Sequence, residues 1–278
     1  MNLEELRKEW TKKDPERGVL QAKLWDKRAG EYKERPIPTA QEHPFLKQVY
    51  EEVEIRPEMK ILDIGCGAGR FSLAFAKEEA QVTGTDVSPE MIRAARELAD
   101  KEQLKNVEFI NSDWSELDVE QAGFSQKFDL VFAHMTPAVS DYDTLEKMCA
   151  CAKKDCYLVK PSRRKDLVLD AAFEAAGISG NREETDTSVA RIFSYLWMKG
   201  YEPYLGYRDE IWEHSRTIED MLAWCTDRAE LQEKVTSEQK EKMKECLLQY
   251  SENGKIPERI TTTIVTIHWC VKEENYEK

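Results

Sequence analysis

The stretch that most constrains this chain is Ile61-Leu62-Asp63-Ile64 followed at once by Gly65-Cys66-Gly67-Ala68-Gly69. Apolar residues broken only by one aspartate read as a strand covered on both faces. The alternate glycines behind it let the backbone turn sharply and approach a ligand closely. A helix is expected next, over residues 70–79, which makes the segment a strand-loop-helix unit with a ligand at its turn. A glycine loop alone is a weak signal, and three details sharpen it. Asp63 stands two residues before the first glycine, where a carboxylate attracts an ammonium and repels a pyrophosphate. The spacing is Gly-x-Gly-x-Gly rather than the Gly-x-Gly-x-x-Gly of dinucleotide sites, and Asp86 ends the next apolar run, placed to accept from both hydroxyls of a ribose.

The pattern repeats downstream. Strands are predicted over 81–85, 107–110, 128–133 and 156–159, and helices over 89–101, 143–152 and 166–176. Ser88 as N-cap with Pro89 behind it opens the first of these helices, and Gly177 ends the last. Before this run, helical spacing appears in three pieces: Leu3, Leu6 and Trp10; then Val19 to Trp25 after Asp14-Pro15; then 44–54 after Pro36-Ile37-Pro38. After it come a helix over 189–199, an aromatic strand over 204–212, helices over 218–229 and 238–250, and a Thr- and Ile-rich strand over 260–271. The expected fold is α/β, a doubly wound, mostly parallel sheet with a helical N-terminal cap and a helical insertion before the last strand. The expected division is 1–56 for the cap, 57–215 with 257–278 for the core, and 216–256 for the insertion.

Charge narrows the partners. The 278 residues carry 41 Lys plus Arg against 54 Asp plus Glu, a net charge of −13. Such a surface repels phosphate backbones at long range, so no DNA is expected as a partner. No apolar run approaches the roughly 20 residues a membrane helix needs, and no membrane partner is expected. The charged start, Met1 to Trp10, differs from an export signal. With seven cysteines, an odd number, this favours reduced thiols and a cytoplasmic location. Cys149-x-Cys151-x4-Cys156 lacks the spacing of a metal site, and no metal is expected.

The segment 63–69, with Asp86-Val87-Ser88-Pro89-Glu90-Met91 behind it, resembles motifs I and II of the class I S-adenosylmethionine-dependent methyltransferases. Asn111-Ser112-Asp113-Trp114 resembles that family's adenine-binding turn, and Phe128-Asp129-Leu130-Val131-Phe132-Ala133 its fourth strand. The match is specific over residues 57–160. The resemblance implies S-adenosyl-L-methionine as cofactor, S-adenosyl-L-homocysteine as product, and a seven-stranded sheet with the last strand antiparallel beside the fifth. It places Gly65 and Gly67 along the methionine part and Asp86 on the ribose. Met91 and Trp114 would flank adenine, whose amino group would donate to Asp113. Asp63, Cys66, Gly69, Val87, Ser112 and His134 complete the implied cofactor contacts.

Open parallel sheets bind ligands beyond the carboxyl ends of their strands. That rule selects His134-Met135-Thr136-Pro137, the basic run 160–165, and Trp212-Glu213-His214. His134 is the candidate general base, because an imidazole titrates near neutrality; packing over the cofactor is the alternative. Thr136, Lys160, Ser162, Arg163 and Trp212 are candidate acceptor contacts, with Arg163 or Arg164 as a clamp for a carboxylate or phosphate. Tyr32 is a candidate lid residue, since Trp25 to Tyr32 resembles the lead-in of small-molecule members. No Asn/Asp-Pro-Pro-Tyr follows the fourth strand, and no Pro-Cys pair is present. These features favour a small-molecule methyl acceptor. A protein or RNA acceptor, a non-catalytic S-adenosylmethionine-binding protein and a nicotinamide-dependent oxidoreductase remain the competing readings.

Overall fold

The computed structural model describes residues 2–11, 16–179 and 182–271. Four short helices come first: α1 (Leu3–Trp10), α2 (Arg17–Asp26), α3 (Ala29–Lys33) and α4 (Pro44–Glu52). The alternating region follows as β1 (Lys60–Ile64), α5 (Arg70–Lys77), β2 (Gln81–Asp86), α6 (Pro89–Lys101), β3 (Val107–Asn111), β4 (Phe128–His134), α7 (Tyr142–Cys151), β5 (Ala152–Asp166) and α8 (Leu167–Ala176). The chain then forms α9 (Arg182–Met198), β6 (Tyr204–Thr217), α10 (Ile218–Glu230), α11 (Ser237–Leu248) and β7 (Lys255–Cys270).

One seven-stranded sheet has the order β3-β2-β1-β4-β5-β7-β6, parallel from β3 to β5, with β7 antiparallel to its neighbours. The last strand therefore inserts beside the fifth, as the resemblance implies. The chain winds outward from β1 through β2 to β3, then returns to start again at β4. This reversal makes the β1/β4 junction the topological switch point, where open sheets hold their ligands. Register brings the strand ends level there: Asp63 pairs with Gly84 and Phe132, Asp86 with Asn111, and His134 with Val159.

The central strands are apolar because both faces are covered. Ile61, Leu62, Ile64, Leu130, Val131 and Phe132 are fully buried, each burial worth roughly 1.5–3 kcal/mol. On α6, Ser88 caps the helix by accepting from Met91 N at 3.0 Å. Met91, Ile92, Ala95, Leu98 and Ala99 fall on its buried face at helical spacing. The alanines let this helix lie close against the loop behind β1, packing with Cys66 and Ala68.

The N-terminal region has four helices where the apolar spacing predicts three, because α2 stops at Asp26 and the chain re-enters as α3. The predicted break at Asp14-Pro15 lies outside the described residues. Two strands run farther than their apolar runs predict. β5 extends from Ala152 through Asp166, so Lys160, Ser162 and Arg163 stand within a strand rather than in a loop behind it. β6 extends through Thr217, which puts Trp212 and His214 inside it. Apolar content marks only the doubly covered part of a strand, and β6 alternates half-buried and exposed residues along most of its length.

The chain divides into two compact units, the first Met1–Lys160, Ala190–Gly206 and Thr266–Lys278, the second Pro161–Val189 and Tyr207–Val265. In the second, α8, α10 and α11 share an apolar core of Val168, Leu169, Phe173, Met221, Met243 and Leu247. All seven cysteines are free thiols, and five are buried. Burial pushes Cys149 and Cys151 up to about 12, so both behave as small apolar fillers. No helix among the described residues is long and apolar enough to cross a membrane.

Candidate active site

The loop behind β1 is shaped by its glycines. Gly65, Gly67 and Gly69 have φ of 70°, 55° and 76°, a left-handed conformation that side chains disfavour. Space imposes a second condition at Gly65, where a Cβ would lie 2.0 Å from Thr136 Oγ1. Thr136 follows β4, so this contact closes the switch point from the other side. The amides of Gly65 and Cys66 donate to Thr85 O at 2.8 and 2.9 Å, holding the loop against the end of β2. Cys66 turns its sulfur toward Gly84, where a Cβ would meet it at 3.0 Å.

Asp86 organises the same loop. Its Oδ2 accepts from Gly67 N at 2.9 Å and its Oδ1 from Ser88 N at 2.9 Å. Its backbone oxygen accepts from Ser112 N at 2.9 Å and Asn111 Nδ2 at 3.0 Å, and Asn111 Nδ2 also donates to Val87 O. Burial raises the carboxyl above its ordinary pKa, the two amides oppose that, and nearby Asp26 adds a like charge. Each oxygen retains a lone pair beyond those amide bonds.

Asp63 is the most desolvated acid at the strand ends. It is 2% exposed, and its Oδ2 accepts from Ser72 Oγ at 2.6 Å. Burial pushes it up to about 7, Ser72 opposing and Asp86 reinforcing the shift. A buried carboxylate without a cation calls for one, since desolvation is offset only by pairing or protonation.

The turn after β3 is pressed by α2. A Cβ at Gly18 would meet Asp113 Oδ2 at 1.8 Å, so this glycine is what lets the helix lie on that carboxylate. Asp113 Oδ1 meanwhile accepts from Ser115 N and Oγ at 2.9 and 2.7 Å. Trp114 is buried, its Nε1 donating to Thr144 O of α7 at 3.0 Å. Met91 is buried at the start of α6, and a Cβ at Gly67 would lie 4.0 Å from its sulfur, an ordinary van der Waals contact.

His134 ends β4 inside an aromatic box. Its ring centroid lies 4.2 Å from Phe71, 4.9 Å from Phe45 and 5.3 Å from His43. Met135 follows with φ 55°, turning the chain so that Thr136 reaches Gly65. Lys160 is buried, donates to Val139 O at 2.6 Å, and is pushed down to about 8 by burial and by Arg17, with Asp141 opposing. Tyr32 meets Trp25 edge-on at 5.9 Å, with the Arg35 guanidinium 4.1 Å from its ring centre. These residues belong to the first unit. Ser162, Arg163 and Trp212 belong to the second. Ser162 O accepts from Thr262 Oγ1 at 3.1 Å, Arg163 is exposed with φ 50°, and Trp212 Nε1 donates to Glu210 Oε2 at 2.7 Å.

Sequence reasoning missed Asp26. Its Oδ1 accepts from Ser88 Oγ at 2.6 Å and from Glu90 N at 3.3 Å, a second cap on α6 supplied from α2. It also missed Ser72, Gly18 and the box around His134. Their partners are distant in sequence, and no local spacing announces them.

The arrangement is a glycine loop at a switch point, with buried Asp63 and half-buried Asp86 near the strand ends beside it. A family model described as a methyltransferase domain matches residues 55–258. The chain belongs to that family and is of the class I S-adenosylmethionine-dependent type, with S-adenosylmethionine as its cofactor. It is 29% identical over 189 residues to an uncharacterized protein of Haemophilus influenzae, covering 66% of this chain and 65% of that one. To a ubiquinone biosynthesis O-methyltransferase of Acinetobacter baylyi it is 33% identical over 145 residues, 51% of this chain and 55% of the relative. A 23S rRNA (uracil(1939)-C(5))-methyltransferase of Shewanella sediminis is 41% identical over 71 residues, 26% of this chain and 16% of that protein. The chain thus spans less than two thirds of each of these relatives. The solved YcgJ protein of Bacillus subtilis has the same fold, with a TM-score of 0.51 at 19% identity over 83% of this chain and all of that one.

Proposed function

We propose that this protein transfers a methyl group from S-adenosylmethionine to a small-molecule acceptor. The observation that carries the reading is the pair of acids, buried Asp63 and half-buried Asp86, near the ends of adjacent strands beside the glycine loop. Asp63 takes the methionine ammonium as its missing cation. Asp86, held by Gly67 N and Ser88 N, accepts from the ribose hydroxyls. Gly65, Cys66, Gly67 and Gly69 supply a backbone surface free of side chains, and Val87, Met91, Ser112 and Asp113 surround adenine. Trp114 anchors that turn to α7 through Thr144.

The bound sulfonium supplies an activated methyl group and leaves as a neutral thioether. The protein's own work is to align the acceptor and exclude water. Thr136 and Tyr32 shape the acceptor side, and the buried Lys160 supplies positive charge toward it. His134 forms the floor through its aromatic box, so the reading requires no general base.

Two observations favour a small acceptor over RNA. The net charge is −13, and the rRNA-methylating relatives match over 71 to 95 residues while the O-methyltransferase matches over 145. The first experiment is calorimetric titration with S-adenosylhomocysteine and, separately, NADH, with Asp86→Ala as control. Micromolar binding of the homocysteine compound alone, lost in the variant, is expected. NADH binding, or none, would overturn the cofactor assignment. Label transfer from S-adenosylmethionine to phenols and quinols, against total RNA, then decides the acceptor. Transfer to RNA alone would sink the small-molecule reading.

A further inference from the structure

A second constellation lies away from the strand ends that hold the cofactor loop. Asp155 near the start of β5 meets His268 and Cys270 near the end of β7. Asp155 Oδ1 is 3.0 Å from His268 Nε2 and 3.4 Å from Cys270 Sγ. The ligand-capable atoms of all three lie within 4.8 Å of one another. Nothing in the methyl-transfer reading uses them.

The surroundings are those of a coordinating histidine. His268 Nδ1 lies 3.2 Å from Glu52 Oε2, which also accepts from Tyr157 OH at 2.6 Å. The Tyr157 ring stacks on the imidazole at 4.2 Å and 4°, fixing its plane. A carboxylate on the far ring nitrogen is the usual partner of a histidine bound to metal through the other. Asp155 is 3% exposed, and its Oδ2 makes no hydrogen bond among the described residues, with Lys154 Nζ facing it at 3.3 Å. Cys270 is exposed, which gives an ion a way in.

We propose that Asp155, His268 and Cys270 form a zinc site, with Glu52 orienting the histidine. Ligand atoms around a tetrahedral zinc stand roughly 3.3–3.7 Å apart; the two separations from Asp155 are 3.0 and 3.4 Å, and that between His268 and Cys270 is within 4.8 Å, so a small side-chain shift closes the set on an ion. Thiolate with imidazole and one carboxylate selects zinc over magnesium or calcium, which prefer all-oxygen shells. The fourth position belongs to water. On binding, the Zn–S bond replaces the S–H bond of Cys270, and that proton goes to solvent. The ion ties the last strand to β5 and, through Glu52, to α4. Its role is a cross-link in the first unit rather than methyl transfer.

The test uses the full chain, stripped with chelator and dialysed, and no methyl donor, so it fails separately from the cofactor assignment. The protein is titrated with zinc alone, and in parallel with cobalt as a spectroscopic stand-in. One equivalent is expected, with a thiolate-to-cobalt charge-transfer band. Cys270→Ser should abolish the band and weaken zinc at least tenfold. Glu52→Gln should keep the band and weaken zinc about 10- to 100-fold. Cys246→Ser, away from the cluster, should leave both unchanged. Zinc binding no tighter than in Cys270→Ser, or a cobalt band that survives that variant, would overturn the site and leave a hydrogen-bonded Asp155–His268 pair. Should Cys270→Ser not fold by circular dichroism, His268→Ala carries the same comparison.

Discussion

Asp63 and Asp155 are both buried in the sheet, 2% and 3% exposed, yet their carboxyls are displaced in opposite directions. Asp63 receives one hydroxyl, from Ser72, and is pushed up to about 7 by burial. Asp155 is desolvated too, but hydrogen bonds from His268 and Cys270 and the Lys154 ammonium hold it below the usual carboxylate range. Burial alone therefore does not define a binding acid; the local donors do. In the proposed function, the methionine ammonium of the cofactor is the charge that pairs with Asp63. Asp155 already has a shell of the chain's own groups, which suits a ligand set more than a lone counter-ion.

The sharpest way to break this contrast is pH. Asp63 is raised from 3.8 to about 7, so its contribution to the stability of the ligand-free protein is full below about pH 4. That contribution is lost as pH rises through about 7, a change on the order of a few kcal/mol. Asp63→Asn should flatten this loss, measured as denaturant midpoints between pH 5 and 8. The same variant should weaken S-adenosylhomocysteine, because the ammonium loses its partner. In the wild type, binding near pH 6 should release a proton, read as a dependence of calorimetric heat on buffer. A flat stability profile for the wild type would remove the argument that Asp63 awaits a cation.

Asp86→Ala comes next. It removes two backbone acceptor contacts, to Gly67 N and Ser88 N, as well as the ribose partner. A loss of about 1.5–3 kcal/mol in cofactor affinity is expected, roughly 10- to 150-fold. Gly65→Ala follows, with a left-handed φ of 70° and a Cβ 2.0 Å from Thr136 Oγ1. Strain of about 1–3 kcal/mol should appear as lowered Tm. Gly65→Ala combined with Thr136→Gly should recover the steric part but not the backbone part. Full recovery would mean that φ carries no cost there.

The sequence was most readable where structure is local. Strand, glycine loop and helix from Ile61 to Lys77 form one contiguous unit, and α6 begins at Pro89 and ends at Lys101 as its cap and spacing predict. The order of β7 beside β5 followed from the family resemblance. Features built by distant partners were invisible. Asp26 caps α6 across 62 residues, and Asp155 meets His268 across 113. No periodicity encodes such a meeting. The extended β5 and β6 escaped for another reason: pairing continues where only alternate residues are covered, so a search for continuous apolar runs stops early.

His134→Phe is the smallest expected effect and the one that separates two accounts of the site. The imidazole packs against Phe71 and Phe45 at 4.2 and 4.9 Å, so a phenyl ring of similar shape fits the box. If alignment of donor and acceptor does the work, kcat should stay within about threefold of wild type, since positioning supplies most of the barrier reduction. A general base would behave differently, because its removal typically costs roughly 10²–10⁴ in rate. Its loss would also erase an acidic limb from the kcat–pH profile, with cofactor affinity untouched. His134→Ala is the necessary companion: emptying the box should lower Tm and cofactor affinity together. A variant pair in which Phe restores Tm but not kcat would return His134 to the chemistry, while recovery of both assigns it to the floor.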